Sequence, residues 1–152
     1  MKTIARLGIA AIAVGTLAAG IGVLQPAEAH TASEAIAAGC GSGFKTVTDG
    51  HRAVTTPTGA KWGDVYLTYN ASTRENCVVT VKTSYHGTAS KTLARIAIEG
   101  ESSFHQDWKA YEHFAAIKVK AGGKCVAYWA DIAAPTGTAH AAGGRWDFAN
   151  CG

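Results

Sequence analysis

Asp64-Val-Tyr-Leu-Thr-Tyr-Asn70 and Cys77-Val-Val-Thr-Val-Lys-Thr83, joined by Ala71-Ser-Thr-Arg-Glu-Asn76, decide the fold. In the first string Val65, Leu67 and Tyr69 fall on one side of an extended chain and Tyr66 and Thr68 on the other. In the second, Cys77, Val79 and Val81 alternate with Val78, Thr80 and Lys82. Strand side chains point to opposite faces in turn, so this pattern predicts two antiparallel strands with a polar connection.

The same period runs outward in both directions. Phe44 to Val54 reads as a strand bent near Asp49-Gly50, followed by the turn Thr56-Pro57-Thr58-Gly59. Thr92 to Glu99 turns Ile96 and Ile98 inward and Arg95 and Glu99 outward. Tyr111 to Ala121 is again strand, and Gly122-Gly123 predicts a hairpin because paired glycines supply the positive φ of primed turns. Lys124 to Ile132 would pair back, and Arg145 to Asn150 would close the fold. Between strands, Ser84 to Lys91 is a polar loop holding His86-Gly87, Gly100 to Lys109 a long excursion, and Pro135 to Gly144 a loop. The expectation is an all-β domain, a small antiparallel sandwich or barrel of about six to seven strands.

Upstream, Lys2 and Arg6 precede an uncharged run from Leu7 to Leu24, then Ala27-Glu28-Ala29. A positive start, an apolar core and an A-x-A site predict a signal peptide over 1–29, cleaved before His30. Ala37-Ala38-Gly39-Cys40 does not directly follow the apolar run, which argues against lipidation. Residues 30–39 read as a flexible arm or one short helical turn. Residues 40–152 form a single secreted β-domain with no second apolar run long enough to span a bilayer. Cleavage removes two of the 14 basic and one of the 11 acidic residues, lowering the net charge from +3 to +2. That charge is too weak and too evenly spread to predict nucleic-acid binding.

Cys40, Cys77, Cys125 and Cys151 all lie in the exported part, where an even count implies structural bridges. In an antiparallel meander the start of strand one lies beside the turn joining strands two and three, which favours Cys40–Cys77. Cys125 begins a late strand and Cys151 ends the last, which favours Cys125–Cys151. No C-x-x-C or closely spaced Cys/His cluster predicts a metal, and no cofactor is expected.

No string carries a recognised mechanism. His105, Asp107, Glu112 and His113, with Glu99 and Glu101 upstream, combine imidazole and carboxylate as a hydrolase or metal enzyme would, but without a spacing that has a known mechanism. Such a loop is usually just solvated. Gly100-Glu-Ser-Ser-Phe104 misses G-x-S-x-G at its last residue. Asn70-Ala71-Ser72 is a glycosylation sequon, but in a turn both side chains serve the backbone. Ala71 to Asn76, beside Cys77, is the segment a protease inhibitor would present. Aromatic residues carry the strongest non-catalytic signal: Trp62, Tyr66, Trp108 and Tyr111 are candidates for a binding surface, while Trp129 and Trp146 read as fillers at the two ends of a core.

Cys40-Gly-Ser-Gly-Phe44, Val65-Tyr-Leu-Thr-Tyr-Asn70, Asn76-Cys-Val-Val-Thr-Val81 and Ala121-Gly-Gly-Lys-Cys-Val126 occur in order before a closing Cys151-Gly152. Together they resemble the spore-associated protein A family of streptomycetes and related actinobacteria, over essentially the whole chain from Cys40. The resemblance implies a small exported protein found with spores or aerial growth, and it carries no catalytic residues. The resulting expectation is a non-enzymatic secreted protein of the cell or spore surface that acts through its β-sheet surface on an envelope component. A glycan-binding module, a protease inhibitor and a hydrolase using His105–His113 are the alternatives.

Overall fold

The computed structural model describes residues 29–152, so the expected export segment lies outside the described residues but for Ala29. One helix, α1 (Ala32–Cys40), precedes eight strands: β1 (Lys45–Thr55), β2 (Lys61–Asn70), β3 (Glu75–Lys82), β4 (Ser90–Ile98), β5 (His105–Tyr111), β6 (Phe114–Lys120), β7 (Val126–Ala133) and β8 (His140–Ala149). They form one antiparallel sheet in the order β5-β4-β7-β8-β1-β2-β3-β6. The sheet curls into a nearly closed barrel, with its edge strands β5 and β6 consecutive in the chain across the tight Glu112-His113 turn.

The inner face carries alternate residues of nearly every strand. Val54, Val65, Leu67, Val78, Ala94, Ile96, Val126, Tyr128, Ala130, Ile132 and Ala141 are buried together in the barrel core. β1 breaks register between Thr46 and His51, with Asp49 at φ 59°, which is the bend expected near Asp49-Gly50. At the seam between β1 and β8 a Cβ on Gly143 would lie 2.1 Å from Ala53 O, so only glycine lets the two backbones meet.

Both faces of β3 are covered, which explains its nearly continuous burial. Val78, Thr80 and Lys82 share the inner face, whereas Cys77, Val79 and Val81 meet Ala35, Ile36 and Cys40 of α1. Residues 30–39 therefore do more than a flexible arm or a single turn would. Thr31 caps α1 in a full capping box with Glu34, and apolar residues on the helix face find a partner in β3 and β6 that the sequence does not reveal.

Three further differences from the sequence reading have clear causes. The eighth strand is β5, which occupies part of the expected 100–109 excursion; its polar composition suits an edge strand. β8 begins at His140, five residues before the expected start. The Gly122-Gly123 turn does not close a hairpin, because β6 pairs with β3 whereas β7 pairs with β4 and β8. The two glycine amides instead donate to Arg74 O and Gly152 O, which ties this turn to the β2–β3 turn and the C-terminus.

The bridges are Cys40–Cys77 and Cys125–Cys151. The first fastens the end of α1 to β3 in the buried outer layer, and the second joins the start of β7 to the tail after β8. No helix among the described residues is long and apolar enough to cross a membrane.

Candidate functional site

The outer face of β4, β5, β7 and β8 carries the most exposed aromatic surface on the barrel. Register sets its composition. Gln106, Arg95, Trp129 and Gly144 lie side by side across β5, β4, β7 and β8, and Trp108, Leu93, Asp131 and Ala142 form the adjacent row. Ala94 and Ile96 in β4, and Ala130 and Ile132 in β7, point into the core, so the residues between them must face out.

Trp129 lies over β8 where Gly144 leaves space. A Cβ there would come within 2.7 Å of the Trp129 ring and 2.3 Å of Tyr128 O, at a φ of +153° that side chains avoid. Trp146 then stacks on Trp129, with centroids 4.7 Å apart and planes 29° apart, and Phe104 meets Trp146 edge-on at 6.4 Å. The Arg95 guanidinium lies 5.0 Å from the Phe104 centroid, with its Nε donating to Gln106 at 2.9 Å. Beyond it, a shallow depression of about 240 Å³ is lined by Leu93, Arg95, Trp108, Trp129, Asp131 and His140. His140 Nδ1 is 2.8 Å from Asp131, and that hydrogen bond raises the imidazole pKa above its usual value.

Phe104, Trp108 and Trp146 are 53%, 47% and 53% exposed. The sequence reading put Trp129 and Trp146 at the two ends of the core; instead both lie on the outer face, Trp146 exposed and Trp129 half-buried. Strand periodicity shows which residues share a face without showing which face is inside. Of the four aromatic candidates, the fold places Trp108 on this surface and the others elsewhere. Trp62 packs against the barrel core and edge-on to Tyr85. Tyr66 stacks on His51 beside α1. Tyr111 leans on the core and donates to Asp107, a bond that pushes its hydroxyl pKa up to about 12 and keeps it protonated.

The 101–113 polar residues take separate partners. His105 pairs with Glu101 at 2.6 Å, half out in solvent. Asp107 accepts from Tyr111 and lies 3.6 Å from Lys109 Nζ. His113 Nδ1 turns instead toward His86, and Glu112 is exposed. These groups do not converge on one acid–base centre. The Ala71–Arg74 connection is a compact turn closed by Arg74 N–H on Asn70 O, not an extended loop. Asn70 is almost buried; its Oδ1 accepts from Ser72 and Thr73 and its Nδ2 donates to Ser42 O. As the sequon reading anticipated, this amide serves the backbone.

Sequence reasoning missed one constellation entirely. His30, His86 and His113 come from three separate segments, and a ring nitrogen of each lies within 4.8 Å of the others. Separations of 56 and 27 residues leave no spacing signal to find them by.

Spore-associated protein A of Streptomyces coelicolor is 34% identical over 124 residues, covering 79% of this chain and 75% of that protein. The chain belongs to the spore-associated protein A family. No family model and no solved structure matches it. Membership and the two disulfides fit an extracellular or spore-surface location.

Proposed function

We propose that this member of the family is an exported, non-enzymatic protein of the spore or cell surface that binds envelope carbohydrate on its outer aromatic face. The observation that carries this reading is exposed Trp146 stacked on half-buried Trp129, extended by exposed Phe104 and Trp108 on one side of the barrel. An apolar surface of this kind with a polar rim marks a contact site. Flat rings present an apolar face suited to the C–H surfaces of a sugar, and Arg95, Gln106, Asp131 and His140 supply hydrogen bonds at the hydroxyl edge. The depression is shallow and open, which suits a chain of sugars lying along it better than a small molecule held in a pocket.

The test is sedimentation of the secreted protein with isolated spore-envelope or cell-wall glycan. Trp146→Ala and Trp108→Ala should each weaken binding about 3–10-fold, the range expected for losing one aromatic contact. The double variant should stay in the supernatant while keeping the wild-type circular dichroism. Wild-type protein that fails to sediment, or a folded double variant that sediments equally, overturns the proposal.

A further inference from the structure

Three imidazoles meet just before α1, where the turn after β3 approaches the β5–β6 turn. His86 Nε2 lies 3.3 Å from His30 Nδ1 and 3.1 Å from His113 Nδ1. Metal–imidazole bonds of about 2.0–2.1 Å place neighbouring donor atoms about 2.9–3.4 Å apart, so both contacts have the spacing of ligands around one ion. His86 Nε2 faces two nitrogens, and its single lone pair or proton can pair fully with only one of them.

The three rings are held from different directions. His30 precedes the Thr31 cap of α1 and meets the Phe114 ring edge-on. His86 sits in the turn after β3 and His113 in the β5–β6 turn, and these turns are tied together. Gly87 N–H donates to Glu112 O, Lys82 N–H donates to His113 O, and Lys82 Nζ donates to Thr88 O, Ser90 Oγ and Tyr111 O. The Glu112 carboxylate stands 3.8 Å from His113 Nε2, at ion-pair distance but beyond hydrogen-bond reach.

His30 is also the residue that export would leave at the head of the chain. The α-amino group and Nδ1 of one histidine close a six-membered chelate ring on a metal, and Nδ1 is the nitrogen that His30 turns toward the cluster. In an unprocessed chain the same nitrogen is a peptide nitrogen and a poor ligand. We propose that His30 Nδ1, His86 Nε2 and His113 Nδ1 bind one divalent transition-metal ion, with the α-amino group of His30, freed by cleavage after Ala29, as the fourth ligand. An all-nitrogen set at this point of the first-row series favours Cu2+ over Zn2+. The site is independent of the aromatic face.

The experiment is Cu2+ titration of the metal-free secreted protein, followed by calorimetry and electron paramagnetic resonance, with His30 at the N-terminus verified by mass spectrometry. One equivalent should bind and show nitrogen hyperfine coupling, with weaker one-to-one binding of Zn2+. His86→Gln and His113→Gln should each lower Cu2+ affinity more than about tenfold. One added N-terminal glycine should also weaken binding, while leaving the three-imidazole component. Unchanged affinity in a folded His86→Gln/His113→Gln double variant would mean that the amine alone holds copper, and would overturn the site. A wild-type NMR titration decides the matter even if the variants unfold. Copper should broaden His30, His86 and His113 first, and prior broadening of His51, His105 or His140 would overturn the proposal.

Discussion

Lys82 shows how one residue organises both the barrel and the histidine cluster. It is fully buried, yet each of its three ammonium hydrogens has an acceptor, at 2.7, 2.8 and 2.9 Å. Burial lowers its pKa. Lys82→Met should cost at least about 2 kcal/mol in urea denaturation, because Thr88 O, Ser90 Oγ and Tyr111 O would lose their donor inside the protein. His86 gives the fold a pH dependence. Its folded pKa lies below the ordinary 6.5, so on acidification the unfolded chain takes up the proton first. Stability of the metal-free protein should therefore fall as pH drops from about 6.5 through the folded pKa, and His86→Gln should flatten that part of the profile. His140 acts in the opposite sense. Its raised pKa stabilises the fold below 6.5, and that contribution fades as pH rises through the folded value. Urea midpoints measured between pH 5 and 8 on wild type and each His→Gln variant separate the two.

At the scale of elements, the sequence carried the strands better than their neighbours. The alternation in β2, β3, β4 and β7 was visible because each of these strands carries a regular apolar face, and the cysteines could be paired from strand order alone. β5 was hidden because an edge strand needs no apolar run, and Trp108 is the one large apolar residue it turns to solvent. α1 was underestimated because its stability comes from contact with β3 and β6, which lie tens of residues away. Gly122-Gly123 misled because a local turn preference cannot reveal that β7 inserts between β4 and β8. Exposure of Trp146 and convergence of the histidines both depend on register and closure, which one sequence does not display. The two bridges should behave differently. Cys40 and Cys77 are buried, whereas Cys151 is exposed, so mild reductant should open Cys125–Cys151 first, as resolved by thiol labelling and mass spectrometry. Loss of either loop should cost about 3.5–4 kcal/mol on the chain-entropy account.

The whole molecule is a barrel with different surfaces on different sides. β3 and β6 are covered by α1, and the fold exposes Trp146, stacked on half-buried Trp129, on the β4, β5, β7 and β8 side. The core serves both regions, so Ile96→Ala should cost about 2–5 kcal/mol and loosen the aromatic face together with the histidine turns. Hydroxyl-radical footprinting of the secreted protein, with and without isolated envelope glycan, tests the central claim most directly. Phe104, Trp108 and Trp146 should be labelled in the free protein and protected in the complex, while Tyr85, in the turn after β3, stays labelled in both. Equal labelling of the three rings with and without glycan, or protection confined to Tyr85, would contradict it.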